Sequence, residues 1–524
     1  MQSAMHEKTT RYYAVDLSIM VVASLICALA VIKTLSIWQY LNDDFYITFT
    51  FARNLGQGRG FVYNGGDPVL GTTTPLLAML LALVYRLLPQ LPIPMAAILL
   101  GGGGWITSAW FLYLMLYQAR ANRFVVVFAS SAMVLWGGGG WTRFWLGGEQ
   151  VLFFALLIGV IYCITINQDL LAGALIAGLF LTRGEGILLL PIAIGYIAWS
   201  RRHFPYQLLL GFLIPFVLWS WYSYKEFGAL FPDTLAAKLA QSSSGLWKPF
   251  RARWLESVNS QIGVTMSVWR GNSWATTAWL GLGGVWSLLT EKGHRPLTLV
   301  AVFVVVSLIG YLTLNIAWYP WYTLSLASAV RLFTALGGGW LSVKLWQRVR
   351  DLPKAWQWSG TILCFLPLLM VFVPIASSLF NVFSDAGFLR DYRSGPYRDL
   401  SQWLNVNSRP NEAVAYMEIG YLGYFTHLQV VDFGGLVTPE VYPRLGQPNL
   451  GEWIISAKQP EYVIEWSGFD YITGSFTDEE SFREAYCRVA QIATPLEMRE
   501  RLPIFVWRRK NAGQANGCID QGSQ

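Results

Sequence analysis

The sequence predicts a polytopic α-helical membrane protein whose C-terminal part is an α/β domain outside the bilayer, and three observations carry that prediction. Of 524 residues, 54% are hydrophobic and 13% charged, where a typical soluble domain has about 25% charged. Apolar runs of about 20 residues, the length that crosses a hydrocarbon core as helix, recur through residues 1–384. After about residue 385 charged residues become frequent and short β-type runs appear. The apolar runs are too long and numerous for a β-barrel, whose strands alternate apolar and polar residues over about ten positions.

Taken in order, the chain opens on a run at about 15–38 preceded by Lys8 and Arg11. It lacks the short core and small-residue site of a cleaved signal peptide and reads as a retained first span starting in the cytoplasm. Basic clusters recur at 118–123, 200–203, 291–295 and 344–354, and the positive-inside rule places each of them inside. The net charge of +7 is thereby spent on topology, and no nucleic-acid partner is expected. Spans follow at about 94–117, 123–144, 150–166, 170–182, 186–199, 206–223, 276–290, 297–316, 321–343 and 357–381, giving a bundle of about eleven helices. Two long loops, about 39–92 and 224–275, fall outside. The apolar stretch inside the first loop (TPLLAMLLALVYRLLPQLP) reads as a helix lying in the interface. As a span it would push the 118–123 cluster outside.

Residues 385–524 form the expected soluble domain. AVAYM, VVDF, YVIEW and PIFVW read as strands, and DEESFREAYCRVAQ reads as helix. Gly-rich clusters ending in Trp, at 101–105, 137–141 and 336–340, suit close helix packing in lipid. Phosphate cradling would need a strand before the glycines and a helix after them. Cys27, Cys163 and Cys364 sit in apolar runs as small core residues. Cys487 and Cys518 can pair if their segment lies outside the cytoplasm. The four His are scattered and show no zinc spacing.

This topology brings the charged residues at span ends to one outer face. Asp43 and Asp44 open the first loop, and acids there are costly to desolvate. Arg53 and Asp67 follow, Asp67 next to Pro68 in a turn. Arg143 and Glu149 lie between the third and fourth spans, Arg183 and Glu185 between the fifth and sixth. Lys225, Asp233 and Lys238 fall in the second long loop, and Tyr319 and Tyr322 at a later tip. Each has a plainer reading: Arg183 and Glu185 as a structural pair, Glu149 as a helix N-terminal acid, Arg53 in a fold-holding contact, and Asp43 or Asp44 as helix caps. Neighbouring residues point in different directions, so at most one of Asp43 and Asp44 aims at a reacting atom.

The stretch DDFYITFTFARNLGQGRGFVYNGGDPVLGTTTPL resembles the first-loop motif of the GT-C superfamily, integral-membrane glycosyltransferases that use polyprenyl-phosphate sugars, in its bacterial arabinofuranosyltransferase-like branch. GGEQ (147–150), LTRGEG (181–186), LFPDTLAAK (230–238) and IGYLGYFTHLQVVDFGGLVTPEV (419–441) resemble later motifs. Gln150, Gly184 and Asp233 depart from them, which puts the detailed substrate in doubt and not the superfamily.

The resemblance implies an inverting transfer from a lipid-phosphate sugar to a glycan, lipid or protein acceptor on the outer face of the cytoplasmic membrane. It makes Asp43 and Asp44 the catalytic pair, with the first acid as general base. Arg183, Lys238 and Arg143 become donor-phosphate cations, and Arg53, Glu149, Glu185, Asp233, Tyr319 and Tyr322 substrate contacts. Mg or Mn is an optional cofactor of the superfamily, with Asp43, Asp44, Glu149 and Asp233 as oxygen donors. Tyr421, Tyr424 and Trp466 either stack on sugar rings or are buried strand aromatics. Two other readings stand beside the enzyme: a transporter or flippase of lipid-linked glycans, which normally shows internal repeats, and a non-catalytic scaffold.

Overall fold

The computed structural model describes residues 2–66, 68–138, 145–230, 232–256, 273–384, 391, 393–447, 449–466, 477, 480–494, 503–510 and 518. The helices in order are α1 (Gln2–Thr34), α2 (Asp43–Gly56), α3 (Pro75–Leu87), α4 (Ile93–Gln118), α5 (Arg123–Gly137), α6 (Glu149–Thr165), α7 (Asp169–Thr182), α8 (Leu189–Arg201), α9 (Tyr206–Phe227), α10 (Asp233–Ser243), α11 (Ser273–Thr290), α12 (Thr298–Thr313), α13 (Leu324–Arg350) and α14 (Lys354–Ser384). Six described helical segments, on α1, α4, α9, α12, α13 and α14, are long and apolar enough to cross a membrane. The protein is multi-pass. The other five expected spans fall on α5, α6, α7, α8 and α11, which run from 13 to 18 residues, so length alone does not set the number of crossings at eleven.

Ion pairs tie the helix ends together. Arg123 holds Asp16 at 2.5 Å, Arg201 holds Asp169 at 2.8 Å and Lys344 holds Glu291 at 2.8 Å. These bring together the start of α1 with that of α5, the start of α7 with the end of α8, and the α11–α12 turn with the end of α13. Each cation belongs to one of the basic stretches, or abuts one, that the charge pattern placed on a common side. Lys33 donates to the Phe383 carbonyl and so joins the far ends of α1 and α14.

Missing side chains let helices touch backbone to backbone. A Cβ on Gly337 would sit 1.8 Å from the Leu280 carbonyl oxygen, and one on Gly284 2.0 Å from that of Phe333. α11 and α13 therefore close on each other through glycine alone. Gly101 and Gly137, from the other two clusters, are pressed against Leu146 and Trp105. The glycine clusters are packing surfaces. Replacing Gly337 with Ala should force α11 and α13 apart, cost about 1–3 kcal/mol, and lower the melting temperature of the detergent-purified protein.

The C-terminal domain begins with α15 (Ser394–Asn407) and carries β1 (Ala413–Tyr416), α16 (Gly420–Phe425), β2 (Gln429–Asp432), α17 (Leu450–Lys458), β3 (Tyr462–Glu465), α18 (Glu480–Ala485), β4 (Tyr486–Ile492) and β5 (Ile504–Arg509). The sheet order is β2-β1-β3-β5-β4; the first three strands are parallel, and β5 and β4 are each antiparallel to the neighbour before them. The four strands expected from sequence are present. The stretch expected to continue as helix to residue 491 instead turns into β4 at Tyr486. Pairing with β5, Cys487 opposite Arg508, overrides helix propensity there. Phe482 and Tyr486 stack at 4.8 Å across the junction. Cys487 is bonded to Cys518.

Candidate active site

α2 lies between the helical bundle and the C-terminal domain. Asn42 caps it, its side chain accepting from the Asp44 backbone N–H at 3.0 Å. Side chains leave a helix 100° apart per residue, so the adjacent acids part company at once. Asp43 is 2% exposed, and both its oxygens are taken: the Gly420 and Tyr421 N–H groups each donate to it at 2.9 Å. Asp44 turns the other way, onto a cavity of about 440 Å³. Among the described residues its carboxylate has no hydrogen-bond or ion-pair partner. Burial raises its pKa, the charges of Lys238 and Arg393 hold it down, and Asp391 pushes it up. Burial also raises the Asp43 carboxyl, to about 6, with the Asp44 charge adding to it and the two backbone N–H bonds opposing.

The cavity takes its walls from several elements. α2 and the segment before α3 supply Thr48, Thr72 and Thr74, whose hydroxyls lie 3.0–3.3 Å from one another. Thr48 is one helical turn beyond Asp44 and shares its face. Trp145, Glu149 and Gln150 line it at the head of α6, Arg183 and Glu185 after α7, and Trp219 on α9. Thr234 and Lys238 come from α10, and Ser307, Tyr311, Trp321 and Tyr322 from α12 and the segment after it. The C-terminal domain contributes Leu436. Its loop is shaped by Asp432, which accepts the N–H groups of Gly434, Leu436 and Val437 at 2.6, 2.5 and 3.1 Å. The hydroxyls of Thr234 and Ser307 are buried on this wall without a hydrogen-bond partner among the described residues. Exposed apolar side chains, Leu230, Leu235 and Leu314, rim the cavity.

Its two cations differ. All three nitrogens of the Arg183 guanidinium have a partner: Nε donates to Glu185 at 2.5 Å, Nη1 to Glu149 at 2.7 Å, and Nη2 to the Tyr311 hydroxyl at 3.4 Å. It is a buried ion-pair hub on the cavity wall, in line with the structural pairing its sequence motif also allows. Removing it strands two carboxylates. Arg183→Ala should therefore cost about 3–5 kcal/mol of stability, read as a large fall in melting temperature, with Arg183→Lys intermediate. Lys238 has no carboxylate within ion-pair distance among the described residues. Its ammonium sits 3.5 Å from the centre of the Tyr319 ring, which stacks on Trp321 at 4.4 Å. Burial lowers its pKa to about 8, against the opposing charges of Asp44, Asp432 and Glu418.

Thus Asp44, Glu149, Arg183, Glu185, Lys238 and Tyr322 converge on one cavity. Asp43 and Arg53 do not. Arg53 donates to the carbonyls of Tyr424 and Gly423 at 2.5 and 2.9 Å, a fold-holding contact. Tyr319 supports Lys238 from behind. Asp233 heads α10 and bonds the Leu70 backbone. Arg143 and Asp67 lie outside the described residues. The four acids named as oxygen donors for Mg or Mn have different partners: Asp43 faces the C-terminal domain, Glu149 is bonded to Arg183 and Gln150, and Asp233, at the start of α10, bonds the Leu70 backbone. Among the described residues no three His, Cys, Asp or Glu side chains cluster as a metal site. Tyr421 and Trp466 are buried, at 1% and 2% exposure, so they are core aromatics. The threonine cluster is a site feature that charge-led reading passed over. Its signal was the run TTT before Pro75.

The crystal structure of ArnT from Cupriavidus metallidurans in the apo state superimposes on 99% of this chain and 100% of its own, with a TM-score of 0.56 and 11% identity. The fold is of the GT-C type. The GT-C likeness spans bundle and C-terminal domain together. A cryo-EM structure of the arabinofuranosyltransferase AftD from Mycobacteria aligns over 93% of this chain and 40% of its own, with a TM-score of 0.43 and 13% identity. Residues 389–511 match a family described as a domain of unknown function, DUF8728. No curated protein matches the sequence.

Proposed function

We propose that this chain is an inverting glycosyltransferase that moves a sugar from a polyprenyl-phosphate donor to an acceptor hydroxyl at the outer surface of the cytoplasmic membrane. The observation that carries this reading is a carboxylate and an ammonium, Asp44 and Lys238, that face one cavity with an apolar rim and have no ion-pair partner among the described residues. Asp44 takes the proton of the attacking hydroxyl as general base. Lys238 holds the phosphate and stabilises the charge that grows on it as the glycosidic C–O bond breaks. The phosphate leaves as an anion, so no acid is required. The threonine hydroxyls suit sugar hydroxyls, and the rim of Leu230, Leu235 and Leu314 suits the lipid chain. The GT-C fold supports the same class by likeness of architecture.

The Cys487–Cys518 bond supports an oxidising compartment for the C-terminal domain, and hence for the cavity beside it. Purified protein in nanodiscs, given radiolabelled polyprenyl-phosphate sugars and envelope glycan acceptors, should release a product with inverted anomeric configuration by NMR. Envelope glycans of a deletion strain should lack one sugar. Movement of an intact lipid-linked glycan across vesicles, with no transfer, would return the flippase reading.

A further inference from the structure

The carboxylate of Asp43 points away from the cavity, yet it stands next to the residue read as the base. Its two partners are consecutive backbone N–H groups at the start of α16. Ten residues further along α2, Arg53 donates to the Gly423 and Tyr424 carbonyls at the other end of the same six-residue helix. One face of α2 thus grips α16 at both ends with opposite charges, each matched to the backbone groups it meets. The fit is tight: a Cβ on Gly420 would lie 1.8 Å from the Asp43 carbonyl oxygen.

Neighbouring contacts extend the grip. The Tyr63 hydroxyl donates to Ile419 at 2.6 Å, and the Tyr421 hydroxyl to Leu41 at 2.9 Å. Asn64 exchanges two hydrogen bonds with Val430, at 2.9 and 3.0 Å. Val430 lies on β2, two residues before the Asp432 loop that sets Leu436 against the cavity.

We infer that Asp43 is a positioning residue: by clamping α16, together with Arg53, it seats the C-terminal domain as a wall of the cavity and holds α2 in the rotation that presents Asp44. This rests on the reading of Asp44 as the base. The adjacent acids are then a coupled pair, one facing the domain and one facing substrate. A bond that served stability alone would not link transfer rate to docking.

The test uses the full chain in nanodiscs, with Asp43→Asn, Arg53→Lys and Asp44→Asn. Asn at 43 keeps one acceptor and turns an NH2 toward the second N–H. Asp43→Asn and Arg53→Lys should speed hydrogen–deuterium exchange at α16 at least tenfold and lower kcat about 10- to 100-fold. The donor KM should stay within about twofold, and the acid limb of the pH profile should persist. Asp44→Asn should lose that limb with wild-type exchange at α16. Faster exchange with unchanged kcat overturns the inference, as does an Asp43→Asn enzyme that has lost its acid limb, which would make Asp43 the base. Wild-type transfer by Asp44→Asn defeats the base assignment itself, a result distinct from either. If Asp43→Asn fails to fold, Arg53→Lys, which keeps the charge, carries the same comparison.

Discussion

Asp44→Asn should lower kcat for sugar transfer by about 10²–10⁴, with little effect on melting temperature. The amide is nearly isosteric and cannot take a proton. The carboxylate it replaces has no hydrogen-bond partner among the described residues, so the substitution breaks no contact of the fold. The pH dependence follows from the environment of the group. Burial raises the Asp44 pKa, and the base works deprotonated. Rate should therefore rise with pH through that raised value and be lost below it. Steady-state kinetics across pH, with circular dichroism to confirm folding, would check both points. A wild-type rate in Asp44→Asn would remove general-base catalysis by this residue.

Lys238→Met should cost about 10²–10³ in kcat and abolish the alkaline limb of the pH profile. The sign is opposite to that of Asp44. An ammonium held down to about 8 by burial is charged below that pH and neutral above it, so phosphate stabilisation fades as pH rises through about 8. Wild type should give a bell bounded by the two groups. Lys238→Met should be flat on the alkaline side. The methionine keeps most of the length of the apolar stem while removing the ammonium from the Tyr319 ring, which separates loss of charge from loss of packing. Retention of the alkaline limb in this variant would place the phosphate elsewhere in the cavity.

The helical bundle was legible because hydrophobic length is a one-dimensional property. A run of about 20 apolar residues reads as a candidate crossing with no knowledge of its neighbours. The acids that pair with the basic clusters, Asp16 with Arg123 and Asp169 with Arg201, came only from the structure. The strands of the C-terminal domain were legible from β-branched and aromatic runs. β4 was not, since Tyr486–Ile492 follows a helix without a break and becomes strand by pairing with β5.

Within the site, sequence brought forward the residues that converge on the cavity but not the contacts each of them makes. Arg183 was expected to meet phosphate, and in the structure it is bonded to Glu149, Glu185 and Tyr311. Such a set of contacts depends on three helices meeting, which no local pattern records. Arg53 and Asp43 were expected near substrate and hold the C-terminal domain. Their partners lie more than 350 residues away in the chain.

The sequence by itself determined the class of the molecule: a membrane bundle, a C-terminal α/β domain, and a loop after the first span that opens on two acids. Which acid faces the cavity was decided by tertiary structure alone. Two neighbours on a helix are chemically identical and differ by a rotation of 100°. Only the arrival of α16 on one side of α2, with backbone N–H groups to satisfy, leaves Asp43 bound to the C-terminal domain and Asp44 facing the cavity.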